Sequence, residues 1–156
     1  MLKLSFKGNY KRVQNINNKY TIVTLTGVSS FDCFMGQCPT SIIDWVEENH
    51  FIETWYNPIL CHLVLKASGK AECSPNDTYN PAIGERLAET RAKIKLYKFM
   101  HILCNRLTYY YIHLIGGSPR YPISKIHNHG LLEASLKYKI LVHREEEYLE
   151  KLLKEV

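Results

Sequence analysis

The chain has 156 residues, of which 46% are hydrophobic and 22% are charged, and its formal net charge is +5. This length and composition predict one folded domain, and the positive charge argues against an inhibitor that imitates DNA with an acidic surface. No run of about 18 apolar residues occurs and the N-terminus lacks a signal-peptide pattern, so we expect a cytoplasmic protein without membrane contact.

The cysteines indicate a reducing compartment. They are odd in number and irregularly spaced, and no secretion signal precedes them. We therefore expect five reduced thiols, because paired cysteines belong to oxidising compartments. The five are Cys33, Cys38, Cys61, Cys73 and Cys104.

The first third of the chain has the alternation of β-strands. The runs MLKLSF and KYTIVTLTG predict two strands that form a hairpin with a long loop, in which NINNK has turn composition. Residues 39–51 predict a short helix with its N-cap at Thr40 or Ser41. Residues 59–73 predict two further strands joined around Ser68 and Gly69.

A long helix is predicted from Pro81 to about Ile115. Asn80 is a suitable N-cap, and proline is tolerated at the first helical position. Apolar residues then recur at spacings of four and three, and a second apolar row accompanies them only in the latter half. A helix of about 50 Å is too long for one small domain to surround. We therefore expect either a break near Tyr109–Tyr111 or packing of part of the helix on another subunit. Because the long apolar seam has to be covered, we expect a homo-oligomer.

The last segment, residues 130–156, has broadly helical spacing, although YKILVHR inside it is β-like. The predicted fold is α+β: a small antiparallel sheet with a short helix, one long central helix and a C-terminal helical segment. We assign residues 1–156 to a single domain, in which 1–73 is mainly β and 80–156 is mainly α.

The long helix carries a basic stripe. Its cations share one face over two turns and lead towards tyrosines, so the guanidinium and ammonium groups are candidate phosphate ligands, with Tyr109 or Tyr110 stacking on a base. A solvated amphipathic face explains the same pattern, since acids before cations suit the helix dipole. The candidate residues are Arg86, Arg91, Lys95, Lys98, Arg106, Tyr109 and Tyr110.

Catalytic and metal-binding motifs are weak in this sequence. It contains no nucleophile elbow, phosphate-binding loop or dinucleotide fingerprint, so we expect a binding protein without a cofactor, not an enzyme. The string HNH at His127–His129 lacks the dispersed spacing of nucleases, and surface histidines are the preferred interpretation. A metal site formed by His127, His129 and His143 is the alternative.

The segment from Gly69 to Lys98 resembles one found in small phage and prophage proteins. The resemblance covers about 30 residues and involves a strand ending in Ala-x-Cys, a Pro-x-Asp turn and a helix opened by glycine. The usual acidic-aromatic-Asp run after the turn is reduced here to Thr78-Tyr79-Asn80. The matching residues are Ala71, Cys73, Pro75, Asp77, Gly84, Leu87, Ala88, Arg91 and Ala92.

This resemblance implies a phage-type counter-defence protein acting in the cytoplasm of a bacterial host cell. Its architecture is similar to that of anti-Thoeris sponges, which implies sequestration of an anionic nucleotide immune signal. Three alternatives stay open: a direct inhibitor of a host defence nuclease, similar to anti-CRISPR proteins; a nucleic-acid-binding accessory protein; and a scaffold whose basic stripe is only solvated.

Overall fold

The computed structural model describes residues 3–6, 10–30, 40–48, 51–57, 59–60, 62–110 and 123–155, without the side chains of residues 30, 40–41, 43, 110 and 123–129. Within these ranges an antiparallel sheet combines with three helices, which confirms the predicted α+β class. The elements are β1 (Lys3–Ser5), β2 (Lys11–Ile16), β3 (Tyr20–Ser30), α1 (Thr40–Glu48), β4 (Glu53–Asn57), β5 (His62–Glu72), α2 (Pro81–Tyr110) and α3 (Ile123–Glu155).

The sheet is built around β3 and β5. Its order is β1-β3-β5-β4, and β2 pairs with the part of β3 that β1 leaves uncovered. The predicted antiparallel pairing of the first strand with β3 is confirmed, but part of the predicted loop between them is β2. The β2–β3 hairpin turns at Asn17 and Asn18, whose φ angles of 52° and 51° are those of a type I′ turn.

The prediction of two strands joined at Ser68 and Gly69 is wrong, because β5 runs through this point as one strand. All eleven residues of β5 have partners on β3. Gly69 lies inside the strand where helix α2 crosses it: a Cβ atom here would stand 1.9 Å from the carbonyl oxygen of Ala88. The glycine therefore marks a close approach of two backbones and not a turn.

The region after the third strand holds one element that the sequence did not predict. Helix α1 lies inside the predicted range, but it is followed after Phe51 and Ile52 by strand β4, which pairs with β5. A hydrogen bond of 2.6 Å from Thr54 Oγ1 to the carbonyl oxygen of Val46 ties β4 to α1. With only five residues, β4 offers too short a pattern for a period to be recognised.

Helix α2 begins as predicted. The side-chain oxygen of Asn80 accepts hydrogen bonds from the backbone N–H groups of Ala82 and Ile83, and Pro81 is the first helical residue. The structure describes the helix as far as Tyr110, so the predicted extension to Ile115 lies outside the described residues.

Helix α2 is covered on two sides by its own chain. The sheet covers one side and α3, a helix of 33 residues, runs antiparallel along another, with Tyr97 against Tyr138 and Lys98 paired with Glu146. The predicted C-terminal helical segment is therefore a helix that covers the seam. The argument that a second subunit must cover α2 loses its force, and the homo-oligomer itself stays a prediction.

The core lies between the sheet and the helices. Alternate residues of β3 and β5 are buried, including Val23, Leu25, Leu63 and Leu65, while α2 contributes a row that ends in Leu107. None of the helices in the described ranges has an apolar stretch of the length and hydropathy that crossing a membrane requires.

Candidate anion-binding site

Two cations of the predicted stripe lie against the edge of β5. Among the described residues, β4 pairs with β5 only from His62 to Lys66, so the rest of that edge has no strand partner. Arg91 donates a hydrogen bond of 2.6 Å to the carbonyl oxygen of Lys70, and Lys95 donates one of 2.7 Å to that of Ser68. Both side chains thus satisfy carbonyl groups that would otherwise need water or another strand.

The next two cations of the stripe contact different elements. Lys98 Nζ lies 3.0 Å from a carboxylate oxygen of Glu146 on α3, and both side chains are about half exposed. The guanidinium group of Arg106 lies 4.3 Å from the ring centroid of Trp45 on α1, in a cation–π contact. Arg106 therefore supports the packing of α1 on α2.

Two of the remaining predicted site residues, Arg86 and Tyr109, do not join this group. Arg86 is exposed but precedes Arg91 by five residues, a rotation of about 140° around the helix, so it faces another direction. Tyr109 is 64% exposed and lies about 35 Å along α2 from Arg86. The side chain of Tyr110 lies outside the described residues. The seven predicted residues therefore do not surround one small ligand.

A groove does bring Lys95 and Lys98 together. Two adjoining depressions of about 350 and 440 Å³ share Phe51 and Lys95, and we call them together the Lys95 groove. Their combined size suits a small organic ligand. The groove is lined by Phe51, Ile52, Glu53, Lys66, Ala67, Ser68, Lys95, Lys98, Phe99, His101 and Ile102.

The electrostatic character of the groove is basic. Lys66, Lys95 and Lys98 bring three positive charges, whereas Glu53 is the only acidic lining residue among those that the structure describes and lies 3.8 Å from Lys66 Nζ. The side chain of Phe51, which is 61% exposed, adds an aromatic ring. This combination suits a ligand with a phosphate group and a planar ring.

Sequence reasoning missed Phe51, Lys66 and His101 as lining residues. Lys66 lies on the face of β5 opposite Leu65, but nothing local in the sequence indicates that β5 passes beside Lys95. Phe51 follows the short helix and was counted as its last residue, whereas it lies in the bend before β4. These residues meet only because β4, β5 and α2 converge.

A polar network joins α2 and α3 beside the groove. The imidazole Nδ1–H of His101 donates to the carbonyl oxygen of Ser135 at 2.9 Å, and the hydroxyl of Ser135 donates to Asn105 Oδ1. Asn105 Nδ2 in turn donates to His101 Nε2 at 3.3 Å. Because the Ser135 proton points to Asn105 and its side chain is buried, this arrangement holds two helices together and prepares no nucleophile.

The described histidines, cysteines and acids form no group of three that could hold a metal ion. The side chains of His127 and His129, two members of the alternative metal site, lie outside the described residues. Cys73 and Cys104 are free, as predicted, and the other three cysteines lie outside the described residues. Burial raises the pKa of the Cys104 thiol to about 12, so this side chain is an inert part of the core.

Comparison with known proteins leaves the chain without an assigned family. No protein-family model, no curated protein and no solved structure matches it.

Proposed function

We propose that this protein binds an anionic nucleotide in the Lys95 groove. The observation that carries the proposal is the convergence of Lys66, Lys95 and Lys98 beside the exposed ring of Phe51. Ammonium groups attract phosphate oxygens, and an aromatic ring offers a base a surface on which to stack. Of the residues predicted from the sequence, Lys95 and Lys98 are thus the phosphate ligands.

The contacts that these lysines now make are weak enough to be exchanged for a ligand. Lys98 and Glu146 form a half-exposed ion pair, and such pairs contribute about 1 kcal/mol or less. Lys95 donates to one backbone carbonyl and is exposed, so its ammonium group has further donors for a phosphate oxygen. Binding therefore needs side-chain movement only.

The more specific form of the proposal is a phage-type counter-defence protein that sequesters a nucleotide immune signal. The resemblance of residues 69–98 to phage proteins supports it, together with the basic groove. A sequestering protein retains its ligand without transforming it, and the weakness of the catalytic motifs in this sequence agrees with that role.

Lys98 is the residue on which to test the proposal. Replacing Arg91 or Lys95 also removes a hydrogen bond to β5, so a loss of binding there would be mixed with a loss of stability. We expect Lys98→Ala to lower the affinity for ATP or a cyclic dinucleotide about tenfold or more, as for a lost charged hydrogen bond, in isothermal titration calorimetry.

Arg86→Ala is the matched control, because it removes an equal charge from another face of the same helix. It should bind like the wild type. The proposal is contradicted if both variants bind the nucleotide with equal affinity. It is also contradicted if wild-type protein, purified from defence-expressing cells, retains no nucleotide in native mass spectrometry.

A further inference from the structure

The outer sheet face is an open surface that meets the Lys95 groove at Lys66 and Ser68. It consists of the even-numbered residues of β3 and β5, with Arg12 on β2 and Trp55 on β4. The helices cover the opposite face of the sheet, where all odd-numbered residues of β3 between Thr21 and Ser29 are buried. None of the described residues on the outer sheet face is buried, so this face is open to a partner.

Two aromatic side chains on this face each stand beside a lysine. Lys70 Nζ lies 4.2 Å from the ring centroid of Tyr20. Trp55 pairs with Val64 and is therefore the diagonal neighbour of Lys66, and its side chain is 62% exposed. The two lysines are four residues apart on β5, or about 13 Å. The face thus repeats one unit, a ring beside a positive charge.

The charges of the face favour a polyanion over a second copy of the chain. Arg12, Lys66 and Lys70 oppose Glu53 and Glu72, which lie 3.8 and 3.7 Å from the two lysines. Arg91 and Lys95 add two cations along the edge of β5. Packing two such faces together would bury like charges, which costs free energy.

The centre of the face is polar. Thr24 Oγ1 and Ser68 Oγ are 3.0 Å apart, in a hydrogen bond between the two central strands. These hydroxyl groups offer donors and acceptors to base edges, whereas a protein partner would have to match them within an apolar contact. Hydroxyls, the exposed ring of Trp55, the partly exposed ring of Tyr20 and cations together suit unpaired bases on a charged backbone.

We propose that the outer sheet face binds single-stranded nucleic acid, with bases stacked on Trp55 and Tyr20 and phosphates held by Arg12, Lys66 and Lys70. A single strand is favoured over a duplex because stacking on a side chain requires bases that are free of their neighbours. No described helix projects from this face to enter a duplex groove. The site shares Lys66 with the Lys95 groove, but Trp55, Tyr20, Arg12 and Lys70 do not line that groove, so the test on them does not depend on the nucleotide proposal.

The test is fluorescence anisotropy with a labelled oligothymidylate of about 15 nucleotides, at several salt concentrations. We expect binding that weakens as salt rises. Arg12→Ala with Lys70→Ala should reduce the slope of log affinity against log salt by about 1.4, because each phosphate contact on a single strand contributes about 0.7. Trp55→Ala should weaken binding about tenfold or more, and Trp55→Phe should retain most of it.

Lys151→Ala with Lys154→Ala is the matched control, since it removes the same charge from exposed positions on α3. This control should bind the oligonucleotide like the wild type. The proposal is overturned if the control loses as much affinity as the sheet variant, if a duplex of equal length binds as tightly, or if no binding is measured. Unchanged circular dichroism of each variant establishes that it folds.

Discussion

Gly69 lies where the backbone of α2 comes very close to the sheet. A Cβ atom at this position would meet the carbonyl oxygen of Ala88 at 1.9 Å and the nitrogen of Ala92 at 2.7 Å. Backbone atoms cannot move aside as the end of a flexible side chain can. The small residues Ala88 and Ala92, which belong to the phage-like pattern, therefore let α2 rest directly on β5.

Alanine substitutions at two glycines should have opposite effects on stability. Gly69→Ala should lower the free energy of unfolding by about 3 kcal/mol, because it forces α2 away from β5. Gly130→Ala is the control: it lies in α3 with no atom within 4 Å of the added Cβ, and should raise stability by about 0.5–1 kcal/mol. Urea unfolding measures both. A Gly69→Ala variant as stable as the wild type would contradict the described packing.

At the scale of elements, the basic stripe is divided among neighbours. The sequence places Arg91, Lys95 and Lys98 on one helix face. In the structure, Arg91 and Lys95 contact the edge of β5, whereas Lys98 contacts α3. Spacing along a helix predicts which residues share a face. It does not predict what that face touches, because the strands and α3 come from distant parts of the chain.

The interface of α2 and α3 contains a carboxylate whose ionisation opposes folding. Burial raises the pKa of Glu145, and the charge of Glu89 raises it further, while Lys93 acts in the opposite sense. The folded state therefore binds this proton more tightly than the unfolded state does. The stability that this tighter proton binding contributes is fully present below pH 4.5, and it is lost as the pH rises through the raised pKa of Glu145.

Glu145→Gln should remove this pH dependence. We expect the variant to be more stable than the wild type at pH 7, and the advantage to shrink towards about pH 4, where Glu145 is protonated in both states. Urea unfolding at the two pH values measures the difference. Glu150→Gln, at an exposed position of α3, should show the same small effect at both. If the stability advantage of Glu145→Gln grew on acidification, the pKa of Glu145 would be lowered by folding and not raised.

At the scale of the whole molecule, an exposed apolar row on α3 is a candidate interface for the predicted homo-oligomer. Leu132, Leu136 and Ile140 follow one another at intervals of four residues and are 46%, 61% and 53% exposed. Antiparallel pairing of two α3 helices around Leu136 would place Leu132 against the partner's Ile140. It would also place Glu133 against the partner's Lys139, so that apolar and charged groups both match.

A dimer through this row should dissociate when its centre is charged. Leu136→Glu should convert a dimer into a monomer in sedimentation velocity, since two carboxylates would meet at the axis. Leu153→Glu, at an exposed position near the end of α3, is the control and should leave the dimer intact. Glu133→Lys should weaken the dimer, and adding Lys139→Glu should restore it. Wild-type protein that sediments as a monomer at high concentration would contradict the pairing.

The sequence by itself determined the features that near neighbours control. Asn80 and Pro81 specify the start of α2, the alternation of β3 specifies a strand, and together these patterns predict an α+β fold. Each depends on residues a few positions apart, because capping, turn conformation and side-chain alternation are local properties of the backbone.

Only the tertiary structure decided the features that depend on distant segments. It carries β5 through Gly69 as one strand, covers α2 with α3, and brings Phe51 and Lys66 to Lys95. A glycine or a lysine has the same local signal whether a helix crosses it or water surrounds it. What it contacts follows from long-range packing, and this is why the composition of the groove and the openness of the outer sheet face were not predicted.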